Sequence, residues 1–349
     1  MESWLKEAPK NIIVRMPNWL GDAVMATPVL EDLRHHWKHA KITAMCPVNL
    51  TPLLAEDPHV DELMSFQRPS GWLSHQQHGK IIESLRLGKY DLGILLTNSL
   101  SSAWWFWRGG VQNKIGYIGH WRRLLLDKAV PYPPNRENQH LVKTYKMLLE
   151  PLGIALSQSA PRLYITEQEK QAAKDLLKNC GVGPNQIIVG INPGAAYGSA
   201  KCWLPDRYRA VTQKLLENPS IAVVYFGDRA GAPLVQEICQ GMPERVVNLA
   251  GKTNIRELMA LIQACHIFLT NDSGPMHIAS ALGTPLLALF GSTSDVATGP
   301  YRGGLVIHKH VECSPCYKRT CPIDFRCMTR IEVDEVYREL KKMIKDSGK

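Results

Sequence analysis

No apolar run in the 349 residues approaches the roughly 20 needed to span a bilayer, so the pattern holds no candidate transmembrane helix. The opening, Met1-Glu2-Ser3-Trp4-Leu5-Lys6-Glu7, carries acids and lacks an apolar signal core, which predicts a chain that is not secreted. Nine cysteines is an odd number, and no signal peptide accompanies them. A disulfide framework is therefore not expected, and reduced thiols in the cytoplasm are. There is no tandem repeat at a solenoid period and no low-complexity tract, which excludes solenoids and disordered arrays. The loop after the apolar run Gln186–Ile191 lacks G-x-G-x-x-G spacing, which disfavours a dinucleotide site.

What is present describes a globular protein. Hydrophobic residues make up 45% and charged residues 21%, enough apolar chain for two cores at this length. The net charge of +9 favours an anionic partner. That charge is uneven. Between Ser101 and Lys146 stand Arg108, Lys114, Arg122, Arg123, Lys128, Arg136, Lys143 and Lys146 against Asp127 and Glu137. Eight of the nine tryptophans precede residue 125. A basic, Trp-rich segment suits an anionic membrane surface. It also suits nucleic acid, or a merely solvated face.

Along the chain, apolar runs alternate with helical patterns. Asn11–Arg15, Lys41–Cys46 and Asp91–Thr97 read as buried strands. A helical run starts at Asp22, and Pro28 should kink or divide it. The pattern loosens between Pro151 and Pro161, where a linker is expected. Beyond it, Gln186–Ile191, Ile221–Phe226, Val246–Leu249, Ala264–Leu269 and Leu286–Phe290 read as strands of a second αβ unit, and Val333–Ile344 as a closing amphipathic helix. Such alternation argues for parallel sheets covered on both faces. The expected architecture is α/β: two doubly wound Rossmann-like domains, 1–160 and 161–330, facing across a cleft. A final helix, 331–349, is expected to pack back toward the first domain. Ligands in such sheets bind at the carboxyl ends of strands.

Three loops at those ends could carry chemistry. The first ends in Gly21-Asp22 at a helix start. Asp22 is either an N-terminal cap or a general base for an acceptor hydroxyl. The second, Asn192-Pro193-Gly194-Ala195-Ala196, is followed by Lys201, which is either a surface lysine or a stabiliser of charge on a leaving phosphate. The third is Asn271-Asp272-Ser273-Gly274-Pro275-Met276-His277. Asp272 or Ser273 can cap the helix that follows, and Gly274 lets backbone approach a ligand. A strand feeding a small turn that opens a helix aims free N–H groups and a positive dipole end at a phosphate. His277 is either near that ligand or a packed structural imidazole. Separately, Cys313-x2-Cys316-x4-Cys321-x5-Cys327 could hold zinc or an iron–sulfur cluster, but its spacing matches neither common pattern, and thiols packing a compact loop is the preferred reading.

Taken together, Val14-Arg15-Met16-Pro17-Asn18-Trp19-Leu20-Gly21-Asp22-Ala23-Val24-Met25, Asn98-Ser99, Lys114–Tyr117, Pro193-Gly194-Ala195, Thr270–Gly283 and Phe290–Thr293 resemble the ADP-heptose:lipopolysaccharide heptosyltransferases, a GT-B glycosyltransferase family. The resemblance spans essentially the whole chain, and the combination of motifs is what is specific. The tail Cys313–Pro322 looks like the heptosyltransferase II branch. Ile323-Asp324-Phe325 departs from the Gly-His pair often found there.

The resemblance implies an inverting transfer of L-glycero-D-manno-heptose from ADP-L-glycero-β-D-manno-heptose to the first heptose of Hep-Kdo2-lipid A. It implies Asp22 as base and Lys201 as the group receiving charge on ADP. It places Gly194, Ala195, Asp228, Thr253, Asp272, Ser273, Gly274 and His277 at the donor. Asp228 is the candidate for the ribose. Arg15, Asn18, Trp19, Asn98, Arg122 and Arg123 are expected at the acceptor. There is no D-x-D in the expected place, and no cofactor or active-site divalent metal is expected. Partners would be the nucleotide-sugar, the anionic lipid acceptor and the cytoplasmic face of the inner membrane, without nucleic acid. The alternatives are a family relative of heptosyltransferase I or III type, or a basic nucleic-acid-binding protein with a four-cysteine metal site.

Overall fold

The computed structural model describes residues 4–71, 74–134 and 138–347. Trp72, Arg136 and Glu137, counted in the sequence patterns above, lie outside the described residues, as do Met1–Ser3. The chain divides into two compact units, Met1–Tyr164 and Ile165–Lys349, rather than at 160/161.

The first unit is a six-stranded parallel sheet. Its strands are β1 (Asn11–Arg15), β2 (Lys41–Pro47), β3 (Glu62–Phe66), β4 (Leu92–Leu95), β5 (Asn113–Tyr117) and β6 (Lys128–Val130). They lie in the order β3-β2-β1-β4-β5-β6. β1 therefore sits centrally, paired in parallel with β2 and β4. Its Ile12, Ile13 and Val14 are fully buried, as strands covered on both faces must be. Pro28 does divide the first helical run. Leu20–Met25 ends at Ala26, and Thr27–His36 begins anew with Pro28 in its first turn, where the missing N–H costs nothing.

The second unit repeats the plan. β7 (Ile187–Asn192), β8 (Ile221–Tyr225), β9 (Val246–Asn248), β10 (Ile267–Asn271), β11 (Leu286–Phe290) and β12 (Leu305–His308) lie in the order β12-β11-β10-β7-β8-β9. Counted from its own first strand, this is again 3-2-1-4-5-6, the doubly wound order. All five residues of β10 and of β11 are buried. At about 1.5–3 kcal/mol for each large apolar side chain, these two strands contribute much of the second core. The unit opens on the helix Glu167–Asn179, fixed by a capping box between Thr166 and Glu169. Glu169 also pairs with Arg256 at 2.5 Å. The closing helix, Val333–Ser347, buries Val336 and Leu340 in this second core against the helix Pro205–Leu216.

Strand order reverses between β1 and β4 in one unit and between β7 and β10 in the other. The loops after these four strands are where a doubly wound sheet opens to ligands. They carry Asp22, Asn98, Gly194–Lys201 and Asp272–His277.

Candidate functional site

In the first unit, Asp22 does not cap its helix. Trp19 holds the cap position without a side-chain bond, and Asp22 lies in the first turn. The half-buried Asp22 instead accepts a hydrogen bond on Oδ1 from the Tyr145 hydroxyl at 3.4 Å. Tyr145 lies on the helix Leu141–Met147 and is buried. Burial, followed by the Asp22 charge, holds its hydroxyl well above the usual phenol range, so it remains a donor. The Tyr145 hydroxyl thus orients the carboxylate, an arrangement that suits a general base.

The arginines assigned to the acceptor fare differently. Arg15 is 2% exposed. Its guanidinium donates to the Met16 carbonyl and, at 2.6 Å, to Asn18 Oδ1, and it stacks 4.5 Å from the centre of the Phe66 ring. Burial lowers its pKa to about 9. It orients Asn18 from inside. Arg122 is fully buried. Its Nε donates to Tyr117 O at 2.8 Å, one Nη to Thr97 O and the other to Asn98 Oδ1 at 3.3 Å. Arg123 is exposed. The basic segment is also thinner than its charge count. Lys114 is committed to Asp127 and the Val111 carbonyl, and Lys146 to Ser157, Ser159 and Asp32. Strand ends and turns offer carbonyls, and these cations satisfy them. Arg108, Arg123 and Lys143 do project, and large apolar side chains project with them: Trp121 and Leu124 are each 93% exposed, flanking Arg123, with Trp107 half exposed on the neighbouring helix Leu100–Arg108.

In the second unit, the loops after β7 and β10 meet. Lys201 Nζ contacts Asp272 Oδ2 at 2.5 Å, with both side chains largely buried. Thr293 Oγ1 donates to the same oxygen at 2.6 Å. Asp272 is therefore a positioning group for Lys201 and not a helix cap. Ser273 occupies the cap position of the helix Gly274–Leu282, yet its side chain makes no capping bond. Its hydroxyl pairs with Thr270 at 3.0 Å and accepts from Asn192 at 3.4 Å. The start of that helix therefore carries no bond from its cap side chain, and Pro275 in its first turn has no N–H; a helix N-terminus is where anions bind. A Cβ at Gly194 would meet nothing within 4 Å, so the loop borders open space. His277 is buried on the same helix.

Asp228 is exposed, and its Oδ1 accepts from the Gly231 amide at 2.7 Å, closing a turn. Thr253 is half-buried beside Asn254, which caps the helix Ile255–Ala264.

The cysteine segment packs directly on this region. The Cys316 and Tyr317 amides donate to Ser292 O at 3.1 and 2.8 Å, Tyr197 Oη donates to Tyr317 O at 2.7 Å, and the Ala200 amide donates to Arg319 O at 3.0 Å. Gly198 is required there: its φ is +156°, and a Cβ would lie 2.3 Å from Arg319 O. Burial, then the neighbouring Cys313, Cys321 and Cys316, push the Cys327 thiol up to about 11.

Sequence reasoning missed Tyr145, Tyr197, Thr293 and Arg319. The Tyr197 ring lies 4.9 Å from Lys201 Nζ and 5.4 Å from the Arg319 guanidinium. Thr293 had a signal as the end of the Phe290–Thr293 stretch, and Arg319 as part of the Cys313–Pro322 tail; Tyr145 and Tyr197 had none.

Two Rossmann-like units in succession, each with strand order 3-2-1-4-5-6, are the plan of a glycosyltransferase of the GT-B class. A family model described as glycosyltransferase family 9 (heptosyltransferase) matches residues 78–325, and the chain belongs to that family. It is 33% identical over 312 residues to lipooligosaccharide heptosyltransferase 2 of Haemophilus influenzae, covering 86% of this chain and 89% of that one. Among solved structures it is similar to the E. coli ADP-heptose LPS heptosyltransferase II, at 27% identity and a TM-score of 0.83 over 97% of this chain and 100% of the other. It shares its fold with a family 9 transferase from Veillonella parvula, at 24% identity and a TM-score of 0.85, with 97% of each chain covered. The nucleic-acid alternative gains nothing from these likenesses. Among the described residues no helix is long and apolar enough to cross a membrane.

Proposed function

We propose that this enzyme transfers L-glycero-D-manno-heptose from ADP-heptose to the first heptose of the lipopolysaccharide inner core, with inversion at the anomeric carbon. The observation that carries the reading is Lys201, held by Asp272 and Thr293, beside the uncapped start of the helix Gly274–Leu282. Its relatives, heptosyltransferases of lipooligosaccharide and lipopolysaccharide, suggest the sugar and the acceptor.

The chemistry is a single displacement. Asp22, oriented by Tyr145, takes the proton of the acceptor hydroxyl as the anomeric carbon gains oxocarbenium character. The glycosidic bond to ADP breaks, and Lys201 with the helix N-terminus receives the charge that develops on the diphosphate. Asn18 and Asn98, set by Arg15 and Arg122, and the half-exposed Trp19 offer polar and stacking contacts to the acceptor. The acceptor is a lipid, so the enzyme works at the cytoplasmic face of the inner membrane. Trp121, Arg123 and Leu124 form the contact.

The test is heptose transfer to purified Hep-Kdo2-lipid A by the native chain and by Asp22→Ala. Native turnover, with loss of roughly 100-fold or more in the variant and unchanged ADP affinity, is expected. Native ADP-heptose binding without product would move the acceptor elsewhere. Equal turnover by the variant would remove Asp22 as base.

A further inference from the structure

We propose that Cys313, Cys316, Cys321 and Cys327 form a tetrathiolate site for one thiophilic divalent cation, of the zinc or ferrous class, which fastens the 313–327 segment to the loop after β7. All four line a single cavity of about 90 Å³, together with Ser292 and Lys318. Cys313-x2-Cys316 is a common first arm of such sites. The wider second arm is closed by the short helix Arg326–Thr329, whose Cys327 and Met328 are buried in the core.

A second observation points to a ligand independently of the thiols. Ser292 is 1% exposed, and its hydroxyl has no hydrogen-bond partner among the described residues. A buried orphan hydroxyl is costly, and a metal-bound thiolate is an acceptor that would satisfy it. The charge also balances. Four thiolates and one divalent cation leave two negative charges, and Lys318 on the cavity wall with the adjacent Arg319 offsets them. Arg326 is already held by Asp324 and Glu312.

The sulfurs must draw together. A tetrahedral site with Zn–S bonds of about 2.3 Å needs them roughly 3.8 Å apart. Among the described residues the one group of three metal-capable side chains with ligand atoms within 4.8 Å is Asp295, His308 and His310. His308 in that group has both ring nitrogens engaged, Nδ1 with Asp295 at 3.0 Å and Nε2 with Ser314 at 2.9 Å, so it reads as a structural pair. The cavity supplies the room for the thiols to close.

The full-length chain, expressed with zinc and iron supplied, should carry close to one metal per chain by elemental analysis, falling to background in Cys316→Ser and Cys321→Ser. Because those variants could fail to fold, the native chain is also stripped with a chelator under reducing conditions and titrated with Co²⁺. A thiolate-to-cobalt absorption band that saturates at one equivalent and is displaced by Zn²⁺ is expected. A native chain with under a tenth of an equivalent of metal, and no cobalt band, would overturn the site. For the fastening, hydrogen exchange at the Ala200 amide, bonded to Arg319 O, should quicken at least tenfold on metal removal. Unchanged exchange would overturn that part. None of these readouts depends on the proposed transfer reaction.

Discussion

Lys201 could be a structural ion-pair partner or a phosphate ligand, and its geometry allows the two to be separated. Its ammonium lies 2.5 Å from Asp272, whose side chain is 5% exposed, against 14% for Lys201. Breaking a buried pair by removing one partner costs about 3–5 kcal/mol, because the survivor is left charged and poorly solvated. The residual exposure and the Thr293 hydroxyl, which still reaches Asp272, put Lys201→Met at the low end, about 3 kcal/mol. Removing the second charge as well, in Lys201→Met/Asp272→Asn, should restore stability to within about 1 kcal/mol of the native chain. ADP affinity should behave differently. A charge-assisted contact to phosphate is worth about 2–3 kcal/mol, or roughly 30- to 150-fold in Kd. That loss should appear in the single variant and persist in the double one. The assays are urea unfolding and calorimetric titration with ADP. If the double variant regained both stability and ADP affinity, or if Lys201→Met bound ADP within twofold of native, Lys201 would be structural and the donor site would have to be sought elsewhere.

Other outcomes follow from the same geometry. Tyr145→Phe should lower kcat severalfold while leaving the KM for donor unchanged and altering the acid limb of the pH–rate profile, because the Tyr145 hydroxyl orients Asp22; a change confined to KM would show that it does not. The Arg256 bond, foremost, depresses the Glu169 carboxyl from 4.5 to about 2. With the folded pKa below the unfolded one, the Glu169 contribution is present above about pH 4.5 and is lost as pH falls toward 2. Glu169→Gln should therefore cost about 1–2 kcal/mol at neutral pH, and the gap should close across that window in urea midpoints; a pH-independent gap would contradict the assignment. Trp121→Glu with Leu124→Glu should weaken sedimentation with anionic phospholipid vesicles at least tenfold and leave turnover on a soluble acceptor fragment intact; equal sedimentation would make the tip an ordinary solvated loop. Arg122→Glu, by contrast, should destabilise the first unit, since it reverses a fully buried charge; a native melting profile would refute that placement.

Much of the architecture was legible because central parallel strands read as continuous apolar runs. β1, β7, β10 and β11 are of this kind. β5 and β6 lie toward one edge of their sheet, with Asn113, Lys114 and Lys128 breaking the pattern, and β12 at the edge of the other is short, so none of the three announced itself as a strand. The site was legible as loops and not as contacts. Strand-to-helix turns at switch points marked Asp22, Lys201 and Asp272. Nothing local paired Asp22 with Tyr145, which lies 123 residues away. Nor could a charge count reveal that Lys114, Arg122 and Lys146 turn inward, because their partners are largely carbonyls, which carry no sequence signature. The four cysteines stood together in the sequence, but their uneven spacing did not show that the short helix at Arg326 sets Cys327 on one cavity wall with the others.

The fastening of the Trp121–Leu124 tip has a consequence for how such an enzyme could diversify. One interior guanidinium, tied to Tyr117, Thr97 and Asn98, holds the loop from behind. The side chains on its outer surface then contribute little to holding the loop in place. Mutation could exchange them freely, and with them the membrane contact proposed for this tip, without loosening the loop. In a lineage, its outer side chains could drift while Arg122 remained fixed.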